Sequence, residues 1–241
     1  MLLMPQPIHY IPIITTVFST LFAVRLYRHW RRKPQATYLL WWFLGLVTYA
    51  TGTLTESLTT LFGWSEPVFR MWYITGALLG GAPLAQGTVY LLLTKRTADR
   101  LSTALLSVVA FGAVAVLLSP INYALVDPTR LSGKVLAWHW VRLISPWINL
   151  YAVVFLVGGA LWSAWKYYRD RGQATRMWGN LAIAVGTILP GIGGSFTRFG
   201  HVEVLYVTEL VGVLFVWIGY TVMSGDGGRS AHATQRAVAT V

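Results

Sequence analysis

The chain has 241 residues, of which 55% are hydrophobic and only 11% charged, and it contains no cysteine. A mean hydropathy of +0.56 leaves too little polar sequence for a large soluble domain, and the missing cysteines exclude disulfides, thiolate metal sites and cysteine nucleophiles together. The net charge of +11 is divided among short segments between apolar stretches, which suits anionic lipid headgroups as partners and argues against nucleic acid.

Seven apolar stretches follow one another, at about 8–27, 37–59, 69–93, 100–119, 145–165, 177–197 and 204–223. Each approaches the roughly 20 residues a helix needs to cross a hydrocarbon core about 30 Å thick, where no water satisfies the backbone. The expectation is an all-α polytopic membrane protein, with one domain of seven transmembrane helices over 1–223. The remainder, 224–241, is rich in Gly, Ser, Ala and Thr without apolar periodicity and is expected to be a disordered cytoplasmic tail.

Arg25, Arg28, Arg31, Arg32 and Lys33 close the first stretch, and act as a stop that keeps it in the membrane as a helix rather than a cleaved signal. Lys95, Arg96 and Arg100 lie between the third and fourth stretches, Lys166, Arg169, Arg171 and Arg176 between the fifth and sixth, and Arg229 and Arg236 in the tail. Basic residues on alternate connections place those segments in the cytoplasm, so the topology is N-out and C-in. The other basic residues, Arg70, Arg130, Lys134, Arg142 and Arg198, fall on outer loops or outer helix ends.

Glu56 lies near the outer end of the second stretch and Glu209 a short way into the seventh. A carboxylate at that depth costs roughly 2.5–3.5 kcal/mol on insertion scales, so each must face the bundle interior and be paired or protonated. Arg70 and Arg198 stand at nearly the same level and are the expected partners of Glu209, with His201 and Glu203 just above and Tyr206 one turn away. Glu209, Glu56, Arg198, Arg70, Tyr206 and His201 therefore form the candidate ligand-binding set, lining a polar cavity that opens outward. An interhelical salt bridge that only fixes packing is the alternative role.

Pro83 and Pro190 fall inside the third and sixth stretches beside glycines, and each is expected to kink its helix by removing a backbone hydrogen bond. The long outer connection, about 120–144, holds Tyr123, Trp138, His139 and Trp140. It is expected to form a cap or a short interfacial helix, with aromatic rings at headgroup depth.

Catalytic and cofactor patterns are weak. No two histidines stand at i, i+4 on a helix or face each other across the midplane, so neither a metal site nor a bis-histidine haem is expected. The seventh stretch has no lysine for a retinal Schiff base, and Gly191, Gly193 and Gly194 follow no strand and are packing residues. No cofactor and no enzymatic activity are expected.

Sliding the chain 138 residues along itself sets Trp30–Thr37 over Tyr168–Thr175 and places Ser57 and Thr59 over Ser195 and Thr197; a slip of one residue aligns Gly63 with Gly200. The first three stretches then match the last three in parallel, with the fourth between them, a three-plus-one-plus-three arrangement also found in small transporters. Convergence of two basic loops by composition is the other explanation.

Arg70-Met71-Trp72-Tyr73 entering a helix that reaches Pro83 and ends in Tyr90-Leu91-Leu92-Leu93-Thr94 is one group of residues with a family likeness. Ser145-Pro146-Trp147-Ile148-Asn149-Leu150-Tyr151 and Trp178-Gly179-Asn180 leading to Ile188-Leu189-Pro190 are others. Together they resemble the seven-helix sensor region found N-terminal to some bacterial histidine kinases, over roughly residues 8–223. The resemblance implies a sensor in a bacterial inner membrane; no kinase or cyclase domain follows the seventh stretch, so it also implies output through a partner protein. The expected function is a receptor-like module that binds a small ligand or lipid in its outer half. A small-solute transporter and an accessory subunit of a membrane complex are the alternatives.

Overall fold

The computed structural model describes residues 6–170, 173–197 and 199–238, with side chains described as far as residue 224. Among the described residues the α-helices are α1 (Ile11–Arg32), α2 (Thr37–Phe62), α3 (Glu66–Trp72), α4 (Ala82–Leu92), α5 (Lys95–Leu118), α6 (Ile144–Ala152), α7 (Gly158–Arg169), α8 (Ala174–Thr197) and α9 (Val202–Val238). A π-helical segment, Tyr73–Leu79, joins α3 to the turn before α4, and a second, Val153–Val157, carries α6 into α7. These pieces make seven rods in the order expected, and the only strand-like pairing among the described residues is two isolated bridges.

Five of the helical stretches are long and apolar enough to cross a membrane: Pro7–Arg32, Lys95–Leu118, His139–Arg169, Ala174–Thr197 and Val202–Ser224. The protein is therefore an all-α, multi-pass membrane protein. The outward faces agree, since Leu106, Phe111, Val114, Leu117 and Leu118 of α5 and Ile14, Val17, Leu21 and Val24 of α1 are all exposed; apolar surface on that scale suits lipid and not water.

The polarity of α2 points inward. Thr53, Thr55, Glu56, Ser57 and Thr59 are buried. Their hydroxyls turn back onto the helix, Thr55 donating to the Gly52 carbonyl at 2.6 Å, Ser57 to Thr53 at 2.8 Å and Thr59 to Thr55 at 2.9 Å, so the polar face needs no water.

Six rods close a ring in which α1 packs on α2 and α9, α2 on α4, α4 on α6 and the Val153–Val157 segment, α7 on α8, and α8 on α9. The fourth rod, α5, lies outside it, against Tyr73–Leu79, α4 and α6. The tightest seam is α8 against α9. Gly179, Gly186 and Gly193 recur every seventh residue and meet Gly219, Gly212 and Leu205 backbone to backbone; a Cβ at Gly186 would stand 2.6 Å from the Gly212 carbonyl oxygen. Without a hydrophobic driving force in lipid, such close approach is what holds two helices together.

Two sequence expectations change here. Pro83 does not kink a continuous helix: the rod breaks first at Gly80, whose φ of 45° favours glycine, and Pro83 then sits in the first turn of α4, where no N–H is needed. Pro190, by contrast, is inside α8. The segment expected to be a disordered tail continues α9 as helix to Val238, with no proline in 202–238 to stop it; residues 239–241 lie outside the described residues.

The long connection after α5 folds as a cap built from short 3-10 turns at Tyr123–Leu125, Gly133–Val135 and His139–Leu143. Leu131, Val135, Leu136 and Val141 bury themselves with Phe69, Tyr73, Ala115 and Val116. Asn122 N–H donates to Val135 at 2.8 Å, Ala137 to Pro120 at 2.9 Å and Trp64 to Pro128 at 3.2 Å. Trp138 and Trp140 stack at 6.0 Å and remain partly exposed, as rings at headgroup depth do.

Candidate functional site

The carboxyl groups of Glu56, on α2, and Glu209, on α9, face each other within hydrogen-bonding reach. Glu56 is 4% exposed. Its Oε1 accepts the Trp72 indole N–H at 2.9 Å. The Oε2 atoms of both residues are shielded from solvent and receive no N–H or O–H donor from the described residues. At roughly 1.5 Å per residue the pair lies about 10 Å along the helices from the C-terminal end of α2 and the N-terminal end of α9, short of the middle of a core about 30 Å thick.

The surrounding helices bring this about by close contact. A Cβ on Gly52 would meet Gly76 Cα at 3.4 Å, and that approach of α2 to the Tyr73–Leu79 segment sets the Trp72 ring against Glu56. Tyr49 of α2 donates to the Glu209 backbone carbonyl at 2.9 Å, and Thr16 of α1 donates to Thr53 at 2.9 Å, so three helices are cross-tied at this level. Tyr206 is buried at 3% exposure and stands edge-on to the His9 ring with 6.1 Å between centroids. His9 Nε2 lies 4.0 Å from Glu203 Oε1, and its backbone carbonyl accepts from Thr60 at 3.1 Å.

Of the six candidates, then, Glu56, Glu209 and Tyr206 come together. Arg70 does not join them. Its guanidinium pairs with Glu66 at 2.7 Å and caps the C-terminal end of α5 through the carbonyls of Val116 and Ser119, the latter at 3.0 Å; unsatisfied helix-end carbonyls compete for a cation better than a distant carboxylate does. His201 is exposed at the α8–α9 turn, its N–H donating to Phe196 at 3.2 Å. Arg198 lies outside the described residues. No ion pair to Glu56 or Glu209 is present among the described residues.

Glu56, with both Oε2 atoms, is enclosed by Trp72, Tyr206 and the neighbouring helices. The concavities of about 530 Å³ and 480 Å³ lie on outer flanks, one lined by Glu66, Arg70, Met71, Ile74 and Leu117, the other by Phe111, Leu143 and Trp147.

Outside the membrane, Tyr123 donates to Glu66 at 2.5 Å, and with Arg70 it holds the Glu66 carboxyl below the usual carboxylate range. Asp127 is partly desolvated, which opposes ionisation, but hydrogen bonds from Thr129 and the Arg130 guanidinium at 2.6 Å outweigh this and lower its pKa. Arg130 also donates to the Gly200 carbonyl at 3.2 Å, tying the cap to the α8–α9 turn.

A second buried polar group escaped the sequence reading. Gln86 of α4 is fully buried, donates to the Ala98 carbonyl at 3.0 Å and to Ser102 at 2.7 Å, and accepts from Tyr151. Ser102 donates to Tyr90 at 3.1 Å, and Tyr90 to Asp99 at 2.7 Å. The signal was an amide in an apolar stretch. Every member is satisfied, so the network fixes α4, α5 and α6 in register.

Fold and site together define a multi-pass helical membrane protein with an enclosed carboxyl pair in one half. Comparison with protein-family models, with curated proteins and with solved structures finds no match to this chain.

Proposed function

We propose that the protein crosses a bacterial-type inner membrane seven times, N-out and C-in, and works as a sensor: a site in its outer half biases helix positions, and a partner protein reads them on the cytoplasmic side. The observation that carries this reading is the Glu56–Glu209 contact, a buried polar link between α2 and α9 beside the Tyr49 hydrogen bond to the Glu209 carbonyl. α9 runs without interruption from that link to Val238, about 44 Å at 1.5 Å per residue. A change in the link is thus delivered to the inner end by a rigid rod. The resemblance to kinase-linked seven-helix sensors supports the same reading.

A small-solute transporter is the second reading. The position of α5 outside the ring leaves three rods on either side, as the three-plus-one-plus-three repeat requires. The aligned Gly63 and Gly200 both have positive φ, 82° and 94°, and the aligned Ser57 and Ser195 both bond the carbonyl four residues back. Against it, the carboxyl pair lies above the midplane where such transporters hold substrate.

The absence of cysteine permits clean labelling. Spin labels at Leu93→Cys, at the end of α4, and Ser224→Cys, at the end of the apolar span of α9, report the separation of the two helices at that level in liposomes. Glu209→Gln should change the distance distribution while leaving the helical content intact. An unchanged distribution removes the sensor reading, and gradient-driven solute uptake by the same liposomes installs the transporter.

A further inference from the structure

We propose that Glu56 and Glu209 form an exchangeable proton-binding site, filled from the outer side through Glu203, His9 and Tyr206. The inference rests on the sensor reading of this pair and supplies its ligand.

The geometry leaves a proton as the occupant. Two carboxyl groups bond to each other only by sharing a proton, since two ionised ones present lone pair to lone pair and like charge to like charge. Among the described residues the alternatives are closed. Glu56 is 4% exposed, and the Oε2 atoms of both residues are shielded from solvent and receive no other donor from those residues. No third Asp, Glu, His or Cys joins them to make a metal-ligand set among the described residues. The groups that face the pair are Trp72 N–H from α3, bonded to Glu56; the Tyr49 hydroxyl from α2, already given to the Glu209 backbone; and Tyr206 from α9. Further out stand His9, Glu203 and Arg130 of the cap, the last held by Asp127.

A route from the outer surface is laid along one face of α9. Glu203, Tyr206 and Glu209 succeed one another at i, i+3 spacing, which stacks them on the same side. The Glu203 side chain is 39% exposed, His9 is 4.0 Å from it and 19% exposed, and the His9 ring meets the buried Tyr206 ring. In the transfer, a hydronium ion protonates Glu203 or His9, which passes a proton to the Tyr206 oxygen as that hydroxyl gives its own proton to the pair. One carboxylate becomes a carboxylic acid, one water is released outside, and only O–H and N–H bonds are exchanged. Loss of the shared proton sets two like charges against each other across the α2–α9 seam, so protonation holds the seam shut and deprotonation drives it apart.

Infrared spectroscopy of the full chain in liposomes reads the proton directly. The wild type should show a carboxylic-acid carbonyl band that is lost in E56Q/E209Q and shifts on transfer to D2O. Tyr206→Phe, and Glu203→Gln at a partly exposed position with little folding risk, should slow that shift. Where the double variant does not fold, either single Gln variant should still displace the band. A flat wild-type-minus-variant spectrum in the acid carbonyl region overturns the proposal, as does a band that D2O leaves in place. Unchanged exchange in both Y206F and E203Q overturns the route. A band without movement of the α9 inner end defeats only the sensor reading, whereas movement without a band defeats only the proton.

Discussion

Replacing Gly186 with alanine tests the α8–α9 seam that holds Glu209 in place. The added Cβ would stand 2.6 Å from the Gly212 carbonyl oxygen, 2.8 Å from Phe215 Cβ and 2.9 Å from the Val216 nitrogen, where ordinary contact begins at 3.4 Å. Two of these neighbours are backbone atoms and cannot rotate away, so α9 itself must move. Overpacking of this kind costs about 1–3 kcal/mol, offset by the ~1 kcal/mol that Gly→Ala gains in helix propensity, and with three simultaneous contacts the balance is a loss of about 1–2 kcal/mol. Gly191 on the same helix has nothing within 4 Å of its would-be Cβ, so Gly191→Ala collects the propensity gain alone. At about 2–4 °C per kcal/mol for a chain of this size, thermal unfolding in one detergent should place Gly186→Ala several degrees below wild type and Gly191→Ala at or above it. Equal melting temperatures for the two variants would show that α8 and α9 are not packed through glycine.

Trp72→Phe removes the indole donor to Glu56 while keeping a ring, and should lower stability by about 1–3 kcal/mol, the cost of a buried acceptor left unsatisfied; chemical unfolding followed by circular dichroism checks it, and an unchanged midpoint refutes the contact. The cap should loosen in acid. Glu66 and Asp127 have folded-state pKa values below their ordinary ones, so their contribution is present above the ordinary carboxylate pKa, about 4, and is lost as pH falls through the lowered values. Hydrogen exchange over 120–143 should therefore rise in acid, and Glu66→Gln should raise it already at neutral pH; protection that does not respond to either change would contradict the assignment. Reporter fusions after Lys33 and in the tail should report cytoplasm, and fusions near Phe62, Asp127 and Gly200 the outside, as the distribution of basic residues requires; a tail on the outer side would end the N-out, C-in proposal.

Composition and the spacing of apolar stretches were enough for an all-α, multi-pass protein, because a bilayer permits few ways to satisfy a backbone. The same logic marked Glu56 and Glu209, since a carboxylate in an apolar stretch must have a reason to be there. Which groups meet them was not legible. Sequence put Arg70 at a depth near the pair, but depth is one coordinate of three: Arg70 turns to the carbonyls ending α5 and to Glu66. Pro83 was visible as a breaker, yet the break belongs to Gly80, whose backbone only the three-dimensional path of the rod reveals. Helix depth and periodicity are local properties carried by the chain, whereas the meeting of residues 56 and 209 depends on the rotation of α2 and α9 about their axes. That rotation is set by glycine contacts of α2 with the Tyr73–Leu79 segment and of α9 with α8, so only the packed bundle could turn two separate acidic residues into one site.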